Sequence, residues 1–218
     1  MKKNTILSAA VCALLFILLT IALKAVDVQA IGPENSSVGF AGLNGAVHDL
    51  WPESGFWHGI TTATGLFAIL IMVLFAAVGA WELYARKSIL KVDREILAMG
   101  VLYVCVILLY VLFDKAVVNY RPVLEDGQLE SSFPSTHALL ASAVFGSTIV
   151  LAQSIVTRKT TQKAIVYASL VLMVITVFGR LLSGLHWFTD ILGGVLAGLA
   201  LTFAYKAYLE YLAEHKAS

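Results

Sequence analysis

Two histidines and an aspartate carry the reactive potential of this 218-residue chain. His186 and Asp190 stand four positions apart, so a helix puts them on one face. There the carboxylate takes one imidazole N–H, fixes the tautomer and leaves the other ring nitrogen free to attack. His137 is a second imidazole, suited to give a proton to a leaving group. Arg121, Arg180 and Lys115 bring positive charge to the same set of segments. Guanidinium forks match phosphate oxygens in pairs, and lysine adds a point charge. The stretch "PSTH", residues 134–137, opens an apolar run. Pro134 suits a first helical position. The N–H groups of Ser135, Thr136 and His137 would then point out of a helix N-terminus, a ready anion site. No group of residues has metal-ligand spacing and no glycine-rich nucleotide loop is present, so no cofactor and no metal are expected.

The elements that must position these groups are long and apolar. The chain is 59% hydrophobic and 13% charged, about half the charge of an ordinary soluble domain. Its apolar residues fall in six runs, 5–25, 56–83, 95–117, 136–156, 164–183 and 188–208. Each is long enough to cross a bilayer core as a helix, the form in which backbone groups in lipid satisfy one another. No run contains proline, and the apolar residues surround each helix instead of forming one stripe. The expected fold is therefore an all-α membrane protein, a six-transmembrane-helix bundle in a single domain over residues 1–218. A net charge of +1 gives no field for nucleic acid. Cys12 and Cys105 lie inside apolar runs and read as small buried hydrophobes. Gly194 and Gly198 form a G-x-x-x-G that reads as close helix packing.

Orientation follows from the basic residues. Lys2, Lys3, Arg86, Lys87, Lys91, Arg94, Arg158, Lys159, Lys163, Lys206 and Lys216 are 11 of the 15 and lie on one side. The positive-inside rule makes that side cytoplasmic, with both termini, in a plasma membrane. The other four, Lys24, Lys115, Arg121 and Arg180, belong to the outer side. The N-terminal run reads as a retained span in preference to a cleaved signal peptide. Residues 26–55 read as an outer loop with a short interfacial helix near 43–51. His48 and His58 read as surface or interfacial histidines. Trp51, Trp57, Trp187, Trp81 and Tyr84 read as an aromatic belt. Ionisable groups drawn from separate loops to one membrane face suggest a polar pocket, since each is unfavourable near hydrocarbon.

Three motifs, "KAVVNYRP" (115–122), "PSTH" (134–137) and "GRLLSGLHWFTD" (179–190), resemble in order and placement those of the type 2 phosphatidic acid phosphatase superfamily. The resemblance covers about residues 95 to 208. It implies metal-independent dephosphorylation through a phosphohistidine. His186 would be nucleophile, Asp190 its partner and His137 the acid and then the base. Lys115, Arg121, Ser135 and Arg180 would hold the phosphate, helped by backbone N–H groups near Thr136. Three positions depart from the pattern. Five residues instead of six separate Lys115 from Arg121, which on a helix turns the side chain by about 100°. Thr136 stands for glycine and Gly179 for serine. The expected function is an integral-membrane lipid phosphatase working at the outer face. Candidate substrates are undecaprenyl diphosphate, phosphatidylglycerol phosphate or phosphatidic acid, with the isoprenyl carrier ranked first. Its partners would be that lipid phosphate and membrane lipids. A transporter, or an inactive binding protein on the same fold, is the alternative. The uncharged middles of the spans argue against the transporter.

Overall fold

The computed structural model describes residues 3–216; Lys2, counted above for orientation, lies outside them. The described residues form seven α-helices: α1 Lys3–Ala22, α2 Ala41–Leu50, α3 Gly55–Arg86, α4 Arg94–Lys115, α5 Thr136–Ile155, α6 Lys159–Leu182 and α7 Phe188–Lys216. All but α2 are long and apolar enough to cross a membrane. Successive spans alternate in direction. The end of α1, the starts of α3, α5 and α7, and the ends of α4 and α6 therefore share one face of the bundle with α2. The opposite face carries Arg86, Lys87, Lys91, Arg94, Arg158, Lys159 and Lys163.

α5 is the central helix. In its apolar window 67% of residues are buried, against 6% in α1. Small residues allow this: Ala138, Ala141, Ser142, Ala143, Gly146 and Ser147. α7 lies against α5 at backbone distance. A Cβ on Gly194 would sit 2.5 Å from the Ser135 carbonyl oxygen, and one on Gly198 2.5 Å from Ser142 Cβ. The small-residue pair is thus a packing seam. α6 covers the other side of α5. α1 lies along α7, with Phe16 stacked on Phe133 at 5.9 Å and edge-on to Phe113 at 5.5 Å. The first span is thereby built into the bundle.

Four sequence expectations change. α6 begins at 159 and α7 runs to 216, because helix continues past the apolar runs into charged sequence. Pro134 precedes the N-cap Ser135 and is not the first residue of α5. Trp187 is 3% exposed and donates its indole N–H to the Tyr120 carbonyl at 2.7 Å, so it is a buried brace and no belt residue. Trp51, Trp81 and Tyr84 do remain exposed. Cys12 and Cys105 are free thiols that are only partly buried.

Candidate active site

α7 begins one residue after the turn 183–187, which brings His186 and Asp190 together. Gly184 sits in the left-handed region at φ +70, and a Cβ there would come within 2.8 Å of the Glu53 backbone nitrogen and 3.0 Å of the Pro52 carbonyl carbon. The turn is tied to the start of α3 by Ser54 N–H donating to the Ser183 carbonyl at 3.0 Å. His186 is 3% exposed and Asp190 is fully buried. His186 Nδ1 faces Asp190 Oδ2 at 3.7 Å, an ion-pair distance longer than a hydrogen bond. Asp190 Oδ2 also accepts the Trp187 backbone N–H at 2.9 Å. Asn119 and Ser132, both buried in the segment before α5, are joined through the Ser132 backbone N–H, which donates to the Asn119 carbonyl at 3.0 Å.

The other ring nitrogen of His186 meets Arg180. Its Nε2 lies 3.2 Å from Arg180 Nη2. A guanidinium only donates, so Nε2 holds the lone pair and Nδ1 carries the proton, toward Asp190. Burial first, then the nearby Arg180 and Arg121 charges, push the His186 pKa well below the ordinary imidazole value. The ring is therefore held neutral, with its Nε2 lone pair directed at Arg180. Arg180, 2% exposed, also donates from Nη1 to His58 Nδ1 at 3.4 Å.

His137 sits one position inside α5, beside α3, where a Cβ on Gly65 would come within 2.9 Å of its ring. With Thr136 it lines the end of an apolar groove between α3 and α4. Ser135 is buried as the N-cap, and its backbone N–H donates to the Asp190 carbonyl at 2.9 Å. That N–H is hence not available to an anion, contrary to the sequence expectation. Those of Thr136 and His137, the first two helical residues, find no partner within the helix. Arg121 and Lys115 line one polar cavity of 560 Å³ with Thr136 and His186. Lys115 is 81% exposed there and paired to Asp114 at 3.0 Å. α4 ends at Lys115. Its distance to Arg121 is therefore set by irregular backbone, and no helical turn of about 100° separates the two side chains.

Several residues of this site escaped the sequence reading. His58, read as a surface or interfacial residue, touches Arg180. The reason lies at Gly179, where a serine is expected: a Cβ there would meet Thr61 Cγ2 at 2.9 Å and the Trp57 ring at 3.0 Å. Losing the side chain lets α3 close on α6 and carries His58 to the guanidinium. Asn44 on α2 is fully buried, donating to Thr189 Oγ1 at 2.9 Å and accepting the Thr189 backbone N–H at 3.2 Å. It locks the outer segment onto the start of α7. His48 lies edge-on to the Trp187 ring at 5.4 Å. Glu125 and Glu130, also unread, both pair with Arg121.

A second cavity meets the first. An apolar groove of 1050 Å³ runs between α3 and α4 and ends at Thr136 and His137. It follows α3 from Thr62 to Leu83, about 30 Å at helical rise. Thr136, Leu139 and Tyr110 border both spaces.

A sequence model described as the PAP2 superfamily matches residues 96–214. Among solved structures the chain is similar to the "first transmembrane PAP2 type phosphatidylglycerolphosphate phosphatase from Bacillus subtilis". That likeness has a TM-score of 0.66 and 21% identity, over 94% of this chain and 97% of that one. At such identity it is a likeness of fold. None of the curated proteins compared matches the chain.

Proposed function

The chain belongs to the PAP2 superfamily, and from that premise we propose that it hydrolyses a lipid phosphate at the outer membrane face through a phosphohistidine. One observation carries the reading. The polar cavity holding His186, Arg121 and Thr136 adjoins, at Thr136, an apolar groove as long as a bilayer is thick. A molecule with a phosphate head and a hydrocarbon tail fits that pair of spaces. A soluble phosphate ester would leave the groove unused. Placing the site outside rests on the basic residues gathered at the far end.

In the proposed mechanism an incoming phosphate oxygen takes the Arg180 donor and releases the His186 Nε2 lone pair. Nε2 attacks phosphorus while the bond to the leaving oxygen breaks. His137 gives that oxygen its proton. The lipid departs as alcohol, or as monophosphate from a diphosphate, and His186 keeps the phosphoryl group. Water then passes a proton to His137 and attacks the same phosphorus. The P–N bond breaks, orthophosphate leaves and both imidazoles are restored. Arg180, Arg121, Lys115 and the N–H groups at Thr136 would stabilise the equatorial oxygens. Asp190 holds the tautomer and the imidazolium charge.

The test is phosphate release in EDTA by the purified protein in detergent. Undecaprenyl diphosphate, phosphatidylglycerol phosphate and phosphatidic acid would be compared by kcat/KM, with the isoprenyl diphosphate expected to lead. No release from any of them would sink the hydrolase and favour an inactive binding protein.

A further inference from the structure

The three cations of the site differ in what already holds them. Arg180 contacts imidazole nitrogens only, and among the described residues no carboxylate pairs with it. Lys115 is matched by one carboxylate, Asp114. Arg121 is matched by two: its Nη1 pairs closely with Glu125 Oε2, and its Nη2 lies 3.4 Å from Glu130 Oε2. Both ends of the fork that would grip phosphate are therefore engaged.

The surrounding backbone holds this arrangement in place. Tyr120 pairs with Ser131 and Glu125 with Gln128 in antiparallel bridges. Arg121 N–H donates to the Glu130 carbonyl at 3.0 Å. Asp126 and Gly127, at φ 50 and φ 75, close the tip; both central residues at positive φ suit a tight hairpin turn. This small hairpin folds its two glutamates back on the arginine at its own base. The Arg121 side chain is 13% exposed and borders the cavity that His186 lines.

We propose that Glu125 and Glu130 are specificity-determining residues that gate Arg121. Phosphomonoesters and diphosphates, with about two or more negative charges near neutral pH, displace the carboxylates. Phosphodiesters, with one, do not. The chemistry explains the use. Ordinary phospholipids present a singly charged phosphodiester at the same membrane face, in great excess over any phosphomonoester lipid. An open fork would bind them. Two carboxylates set a threshold that only the more charged headgroup passes.

The inference rests on the phosphate-site reading, so its test avoids turnover. Calorimetry on the full chain in detergent micelles measures orthophosphate and diethyl phosphate binding to wild type, Glu125→Gln/Glu130→Gln and Asp126→Asn. Asp126 lies on the same hairpin, and asparagine tolerates its left-handed backbone. The double variant should bind orthophosphate about tenfold tighter, the equivalent of ~1.4 kcal/mol, and should acquire diethyl phosphate binding. Asp126→Asn should match wild type. If the double variant fails to fold, each single variant should show a smaller gain of the same sign. Unchanged or weakened orthophosphate binding, or a double variant that still fails to bind diethyl phosphate, overturns the gate. So does an equal gain in Asp126→Asn, which would make the effect general loop charge. A protein inert toward every lipid phosphate, yet tightened by the double substitution, refutes the hydrolase and keeps the gate.

Discussion

Gly194 and Gly100 are the same residue type on two helices that flank α5, in opposite surroundings. A Cβ on Gly194 would collide with the Ser135 carbonyl, while one on Gly100 would meet nothing within 4 Å. The α7 flank of α5 is closed at backbone distance. The α3–α4 flank is a groove. The closed flank holds what chemistry needs held: Ser135, His186 and Asp190 meet where α5 and α7 begin. The open flank leaves room for what must come and go. Thr136 borders both cavities, and His137 lines the groove. Rigidity and access are thus divided between two sides of one helix.

Among these variants the largest effect should come from the buried cation that touches His186. Arg180→Ala should lower kcat/KM by about 10²–10³, the range for losing one transition-state donor. Lys115→Ala, exposed and paired with Asp114, should cost only a few-fold. Steady-state kinetics on both variants checks the order, and a reversal would move the main phosphate grip to the cavity rim. Next, Gly194→Leu should destabilise the bundle by about 1–3 kcal/mol through overpacking, read as a lower Tm in detergent. An unchanged Tm would mean that the α5–α7 seam is looser than drawn. Gly100→Phe should leave Tm alone and fill the groove. Displacing about two tail methylenes at ~0.8 kcal/mol each should raise KM for a long-chain lipid about tenfold. A short-chain soluble ester should not respond. Equal effects on both substrates would deny the groove its tail.

A smaller effect concerns pH. His186 has its pKa lowered by burial and by Arg180, so it stays neutral into more acid solution than a free imidazole. The acid limb of kcat/KM against pH should therefore fall below the ordinary histidine value of about 6.5. Asp190, Arg180, Arg121 and His137 are the charged and titratable groups that act on it, and the limb should move toward that value in Arg180→Ala. A wild-type limb at or above 6.5 would mean that His186 is solvated.

How much of this was legible depended on distance along the chain. The six spans were readable because hydropathy is a local property. Their far ends at 159 and 216 were not, since charged helical turns beyond the bilayer look like loop. His186 and Asp190 were readable because four residues of helix bring them together. The contact of His58 with Arg180 spans 122 positions and that of Asn44 with Thr189 spans 145. Neither leaves a periodic trace. Trp187 was misread because an aromatic near a span boundary serves equally as anchor or as brace. Glu125 and Glu130 belong to an outer connection with no periodic pattern, and only the hairpin brings them onto Arg121.

The central claim is that His186 Nε2 takes the phosphoryl group. Rapid quenching of the protein with a lipid substrate labelled in its terminal phosphate, followed by mass mapping under alkaline conditions, tests this most directly. A labelled phosphohistidine at residue 186, absent in His186→Ala together with turnover, is the predicted result. Turnover persisting in His186→Ala, or label recovered at another residue, would contradict it.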